Sequence, residues 1–168
     1  MTTHELLIDR LDYSDIPRCA MLEREMFVGD SPWPATAFRA ELNAPYNRYF
    51  AARETPGGEV VGYAGISTLG GEGNFECEIH TIAVAPSHRG LGYGRALLDV
   101  MLDVADAADA PVYLEVRTDN DTAIALYERG SALRRHCSAR LDAAQARIEQ
   151  VRADASGNVT GTTPFAAG

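Results

Sequence analysis

Two stretches of this 168-residue chain hold residue types that can do chemistry. The first is Arg89-Gly90-Leu91-Gly92-Tyr93-Gly94, followed by Arg95. Closely spaced glycines allow a tight turn and let the main chain approach a ligand. A helix that starts just after them offers unpaired N–H groups and the positive end of its dipole, so the turn can cradle a pyrophosphate. Arg89 and Arg95 would add charge, although the glycines alone fit an ordinary strand–helix turn equally well. Two rival phosphate motifs fail. A P-loop needs a lysine, and the chain has none. A dinucleotide fingerprint needs G-x-G-x-x-G after an early strand, whereas Gly90-x-Gly92-x-Gly94 follows the fourth strand in order.

The second stretch runs from Val112 to Asn120, with Tyr127 beyond it. Strand alternation places Val112, Leu114 and Val116 on one face and Tyr113, Glu115 and Arg117 on the other. A carboxylate in mid-strand costs free energy unless it is paired or faces a cleft. Glu115 therefore either pairs with a neighbour such as Arg117 or takes a proton from an incoming ammonium. Asn120 has the residue type of a helix N-cap, and Tyr127 lies two turns along on nearly the same face, where a packing role is the simpler one. Cys19, Cys77 and Cys137 sit in no nucleophile motif, and His4, His80, His88 and His136 have no ligand-like spacing, so no metal is expected. His80 is the histidine that flanks the strand leading into the glycine loop.

The elements that must position these residues alternate in type. A short strand around Leu6–Leu11 precedes a helix starting at Ser14, and a turn-rich piece with Trp33 leads to a second helix carrying Phe38 and Leu42. Tyr49–Ala52 and Val60–Ser67 read as a hairpin around Pro56-Gly57-Gly58, and Phe75–Val84 as a longer strand. A helix follows the glycine loop, then the Val112–Val116 strand, then a helix to about Arg129. This order predicts a mixed α/β sheet with helices on both faces.

Composition narrows the partners. All fifteen basic residues are arginine, and the formal net charge of −9 argues against a general nucleic-acid binder, whose affinity comes from clustered cations. Three scattered cysteines are no disulfide framework, and neither a signal peptide nor a membrane span is visible. The expectation is a cytoplasmic protein, monomeric or weakly dimeric, with no membrane partner.

The Arg89-x-x-Gly92-x-Gly94 run, preceded by the strand end Ile82-Ala83-Val84, resembles the acyl-CoA pyrophosphate loop of the GNAT N-acetyltransferase superfamily. The resemblance implies a mixed, mostly antiparallel sheet and acetyl-CoA as co-substrate. It also implies that the main chain of Ile82, Ala83 and Val84 bonds the pantetheine arm, while Arg89 and the amides of Gly90, Leu91, Gly92, Tyr93, Gly94 and Arg95 hold the pyrophosphate. Leu114-Glu115-Val116-Arg117, Asn120 and Ala125-Leu126-Tyr127 are similar to the RimI-type N-terminal alanine acetyltransferases. That likeness implies Glu115 as general base, Tyr127 as the acid for the departing CoA thiolate, and Asn120 against CoA. Phe27–Pro34, with Trp33, looks like the substrate-side loop of actinobacterial members, and Glu76, Glu78 and His80 would face a peptide cleft.

The likeness covers about residues 5 to 129. The family continues with a Gly-Phe pair and two antiparallel strands, but here Tyr127 is followed by Glu128-Arg129-Gly130-Ser131-Ala132-Leu133. Leu133, Cys137, Leu141, Ala144, Ile148 and Val151 recur at helical spacing. The expected organisation is an acetyltransferase domain over 1–130, a helical segment over 131–153 in place of the closing strands, and a disordered tail over 154–168. Either a shifted reading frame or a genuine C-terminal helix would account for this tail. The expected reaction is transfer of acetyl to the N-terminal α-amine of a peptide, a ribosomal protein starting with alanine among the acceptors. A small-amine acetyltransferase and a non-catalytic acyl-CoA-binding remnant are the alternatives.

Overall fold

Side chains along the central strands alternate between two helical layers. On strand β2 (Asn47–Arg53), Tyr49 and Ala51 face one layer and Phe50 and Ala52 the other; on β3 (Gly62–Gly71), Tyr63 opposes Ala64 and Ile66. The computed structural model describes residues 6–29, 31–117, 121–137, 147–153 and 159–164, with side chains placed for 6–29, 31–114 and 121–129. Strands β1 (Leu7–Arg10), β2, β3 and β4 (Asn74–Val84) pair antiparallel in chain order. Helices α1 (Ile16–Met26) and α2 (Ala35–Asn43) lie between β1 and β2. Helix α3 (Tyr93–Ala107) then carries the chain to β5 (Val112–Arg117), which lies parallel to β4, as a crossover helix permits.

Leu97, Leu98 and Met101 of α3 and Tyr127 of α4 (Asp121–Cys137) pack on Ala64, Ile66, Cys77 and Ile79. On the opposite face Ile16, Cys19, Leu22 and Phe38 pack on Tyr49, Ala51, Tyr63 and Ala83. The sheet thus has helices on both faces, as the sequence pattern predicts. Among the described residues no helix is long and apolar enough to cross a membrane.

Two sequence expectations are corrected. The cap before α1 is Asp12, not Ser14: Asp12 accepts from the Ser14 amide at 3.0 Å, and its own amide donates to Asp15 at 2.9 Å. Secondly, helix α4 ends at Cys137 and does not continue to Ala153. Arg147–Ala153 forms strand β6, parallel to β5, and Val159–Pro164 forms β7, antiparallel to β6, within the stretch expected to be disordered. The free edge of β5 offers a row of main-chain donors and acceptors, and β6 pairs with it from Tyr113↔Arg147 to Arg117↔Val151; side-chain periodicity gives no view of that demand. The rest of the 131–168 stretch lies outside the described residues.

Arg53 ties the front of the domain together. Its side chain is 8% exposed and bonds Asp9 at 3.0 Å, Asp15 at 2.7 Å and the Gly58 carbonyl at 2.7 Å, linking β1, β2, the turn before α1 and the β2–β3 connection. Removing one partner of a buried ion pair leaves a charge without compensation. Asp15→Ala is accordingly expected to cost about 3 kcal/mol in chemical unfolding. Asp9→Ala, at the half-exposed partner, should cost about 1 kcal/mol or less.

Candidate active site

Strands β4 and β5 pair over three residues only, Cys77↔Val112 to Ile79↔Leu114, although β4 continues to Val84 and β5 to Arg117. Beyond Ile79 and Leu114 the two strands part. Over Ile82, Ala83 and Val84, β4 is held on its β3 side, by Ala64, Tyr63 and Gly62. Alternate N–H and C=O groups there point into the gap, where an extended ligand arm can pair as a strand would.

At the mouth of the gap β4 carries a bulge. Ile66 pairs with Ile79 and Gly65 with Thr81, so His80 is the extra residue. The bulge shifts the alternation, so that Cys77, Ile79, Ile82 and Val84 all pack on the α3 layer while Ala83 packs on the α1 layer.

A turn of 3-10 helix, Pro86–His88, leads from β4 into the glycine loop. Gly90 and Gly92 have φ of +75° and +92°, and Gly92 is the left-handed N-cap residue of α3. No side chain caps this helix, and its first internal bond runs from the Ala96 amide to the Gly92 carbonyl at 3.0 Å. The amides of Tyr93, Gly94 and Arg95 therefore precede the helical ladder, at the positive end of a helix of 15 residues. An anion in front of the loop meets these donors directly.

The arginines contribute less than their charge suggests. Arg89 is turned back onto the Val84 carbonyl at 3.2 Å, and Arg95 is paired with both oxygens of Asp99 at 2.9 and 3.0 Å. Leu91 is exposed at the tip, whereas the Tyr93 side chain is buried in the core edge-on to His88, so only its amide faces the loop.

Tyr127 is 6% exposed, in the apolar layer between α3 and the sheet, and burial raises its phenol above the usual range. It is therefore protonated at neutral pH and can only donate a proton. Glu115 occupies β5 one residue past Leu114, with its side chain outside the described residues; Asn120 lies outside them altogether.

On the acceptor side, Trp33 stacks edge-on against Phe38 with centroids 5.7 Å apart, and its amide donates to the buried Glu23 at 3.1 Å. The other Glu23 oxygen accepts from the Tyr63 hydroxyl. The Trp33 loop is thus anchored to the core. Glu76 and Glu78 are exposed on β4, and His80 Nδ1 lies 2.8 Å from Glu41 Oε2.

Sequence reasoning missed Glu41, Asn47 and Tyr49, which converge on His80. They come from different elements, and no local spacing links positions 41 and 80. Cys19, the buried thiol of α1, is pushed up to about 12 by burial, so it offers no thiolate at neutral pH.

A parted parallel strand pair, a bulge and an uncapped helix behind a left-handed glycine define an acyltransferase site. The chain belongs to the acetyltransferase (GNAT) family, whose model matches residues 16–131. It is 54% identical over 125 residues to the N-alpha-acetyltransferase RimI of Mycobacterium tuberculosis, covering 74% of this chain and 77% of that protein. Among solved structures, the ribosomal-protein-S18-alanine N-acetyltransferase of Escherichia coli aligns with a TM-score of 0.60 at 28% identity, covering 74% of this chain and 76% of that one. Arabidopsis thaliana NAA60 in complex with acetyl-CoA shares the fold, with a TM-score of 0.66 at 21% identity over 76% of this chain and 86% of that one.

A second model, exonuclease VII small subunit, matches residues 121–150. The exodeoxyribonuclease 7 small subunit of Novosphingobium aromaticivorans is 62% identical over 45 residues, which is 27% of this chain and about half (54%) of that protein's length. This overturns the reading-frame explanation of the tail, since a shifted frame would not encode another protein's sequence. The chain joins parts of two families, and their matches overlap over residues 121–131.

Gly92→Val would place a β-branched residue at a φ of +92°, a conformation costing about 1–3 kcal/mol for such a side chain. A lowered melting temperature is expected. At Gly94 an added Cβ would meet Leu126 at 3.5 Å and Val84 at 3.7 Å, ordinary contacts, so Gly94→Ala should melt like the parent.

Proposed function

We propose that the chain transfers the acetyl group of acetyl-CoA to the N-terminal α-amine of a protein or peptide, ribosomal proteins beginning with alanine among its acceptors. The observation that carries this reading is the gap between β4 and β5, which opens directly beside the uncapped start of α3. A long, thin ligand with a pyrophosphate at one end and a reactive acyl group at the other fits that arrangement. The likeness to the N-alpha-acetyltransferase RimI supports a protein N-terminus as acceptor, and the S18-alanine N-acetyltransferase supports a ribosomal one. Acetyl-CoA, when bound, supplies the activated acyl carbonyl.

The main chain of Ile82, Ala83 and Val84 aligns the pantetheine arm. The amides from Gly90 to Arg95 hold the pyrophosphate, with Asn120 near the arm. Glu115 takes a proton from the ammonium so that the amine can attack directly. Tyr127, kept protonated by burial, donates to the departing sulfur. Trp33, Glu76, Glu78 and His80 line the acceptor side. Most of the acceleration comes from holding amine and carbonyl together, with one proton transfer at each end.

The test is CoA release from acetyl-CoA with an alanine-starting hexapeptide, beside the same peptide acetylated in advance. Turnover with the free amine alone is expected. Turnover with polyamines or aminoglycosides but not with the peptide would move the acceptor to small amines, and binding of acetyl-CoA without turnover would overturn the enzyme reading. Glu115→Gln should lower kcat by about 10²-fold with acetyl-CoA affinity kept. Equal activity would remove Glu115 from the mechanism.

The match over residues 121–150 favours a second role for the tail. In this reading the stretch beyond Tyr127 docks on the partner subunit with which an exonuclease VII small subunit assembles. Co-elution of the full chain with a purified exonuclease VII large subunit in size-exclusion chromatography is the expected result; separate elution at micromolar concentrations rules the docking role out.

A further inference from the structure

Glu41 gathers three polar groups on one oxygen. Its Oε2 accepts from the Tyr49 hydroxyl at 2.7 Å and from Asn47 Nδ2 at 2.8 Å, and lies 2.8 Å from His80 Nδ1. The site is built from the core outward. Tyr49 and Asn47 are 2% and 9% exposed, and the Tyr49 ring lies across Gly65, where an added Cβ would come within 2.2 Å of the ring. Glycine at 65 is thus what lets Tyr49 reach Glu41. The carboxylate is oriented by two neutral donors from β2, and it fixes the imidazole in turn. A proton on Nδ1, bonded to Glu41, leaves Nε2 as an acceptor, and no partner for Nε2 is found among the described residues.

His80 also occupies a particular place. It is the bulged residue immediately past Ile79, the last β4 residue that pairs with β5. Glu115 follows Leu114, the partner of Ile79, in the same way. His80 and Glu115 therefore hold the first positions beyond the last paired residues, one on each strand of the gap. An α-ammonium arriving there has three N–H groups and needs more than one acceptor.

We infer that His80 is a catalytic residue of the acetyl transfer: its Nε2 accepts a hydrogen bond from the acceptor's α-nitrogen and orients it while Glu115 removes the proton. Glu41, Tyr49 and Asn47 are positioning residues that set the tautomer and the ring angle. Once the ammonium has lost one proton to Glu115, the N–H still bonded to Nε2 turns the nitrogen lone pair toward the acyl carbonyl. The inference rests on the acetyl-transfer reading, and it assigns the histidine side of the cleft a task separate from the base.

With acetyl-CoA and the alanine-starting hexapeptide, His80→Ala should lower kcat/KM by about 10²-fold, the scale of a misplaced reacting group. Acetyl-CoA affinity and melting temperature should stay at parent values, and added imidazole should restore activity in a saturable way. Glu41→Gln should lower kcat/KM by about 10-fold or more, because the carboxamide can donate to Nδ1 and drive the proton onto Nε2. An active parent with an equally active His80→Ala variant overturns the inference and leaves the acetyl-transfer reading standing. A parent that turns over no amine removes both. Loss of activity with a lowered melting temperature and no imidazole rescue makes His80 structural and overturns the inference. If His80→Ala does not fold, nitrogen-15 NMR of the parent above neutral pH decides: an Nδ1–H imidazole is expected, and an Nε2–H imidazole overturns the inference.

Discussion

Everything in the catalytic half of this domain depends on a parallel ladder that stops after three residue pairs. Two strands that separate while still extended leave main-chain donors and acceptors facing one another across a space that no side chain fills. Parallel pairing forces a crossover helix, and that helix must begin where β4 ends, because the loop between them is short. Its positive end therefore lies at one end of the gap and the bulge at the other. Anion site, extended arm and reacting end fall in a line without any dedicated binding domain. The rest of the sheet serves to keep β4 in place: four antiparallel strands, clamped at the front by Arg53, back the strand whose other edge is left open.

Much of this is legible in the chain because it is written in local signals. The glycines at 90 and 92 announce a left-handed turn, and the alternation around Leu114 and Glu115 announces a strand with a carboxylate on it. The apolar spacing from Leu97 to Met101 announces a helix with one buried face. The Glu41–Asn47–Tyr49–His80 group is not legible, since it is assembled by β2, β3 and β4 lying side by side and by a register shift of one residue. A bulge leaves no signature of its own in composition. The side chains of Tyr93 and Arg95 escape the sequence for a related reason: their nearest partners, the core for one and Asp99 for the other, are decided by packing, whereas the place of their amides at a helix start is a local matter.

The C-terminal stretch shows the limit of periodicity from another side. Apolar residues at helical spacing continue well past Cys137, yet Arg147–Ala153 lies against β5 as a strand. An edge with a row of unmet main-chain hydrogen bonds draws in whatever chain is within reach, with little regard for side-chain pattern. The same residues carry the likeness to exonuclease VII small subunits, so one sequence answers two demands, that of the sheet edge and that of a second family.

Helix α4 is where those demands meet. Ala123, Ile124, Leu126 and Tyr127 face the core, while Asp121, Thr122, Glu128 and Arg129 are outside it. The acetyltransferase layer asks this helix for one short apolar stripe with a tyrosine in it, and the Ile-Ala-Leu-Tyr run supplies that stripe within residues that both family models match. A chain can therefore change ancestry within α4 without opening a hole in the layer beneath it. The helix is a seam, a place where two genes can be spliced with the hydrophobic core left whole.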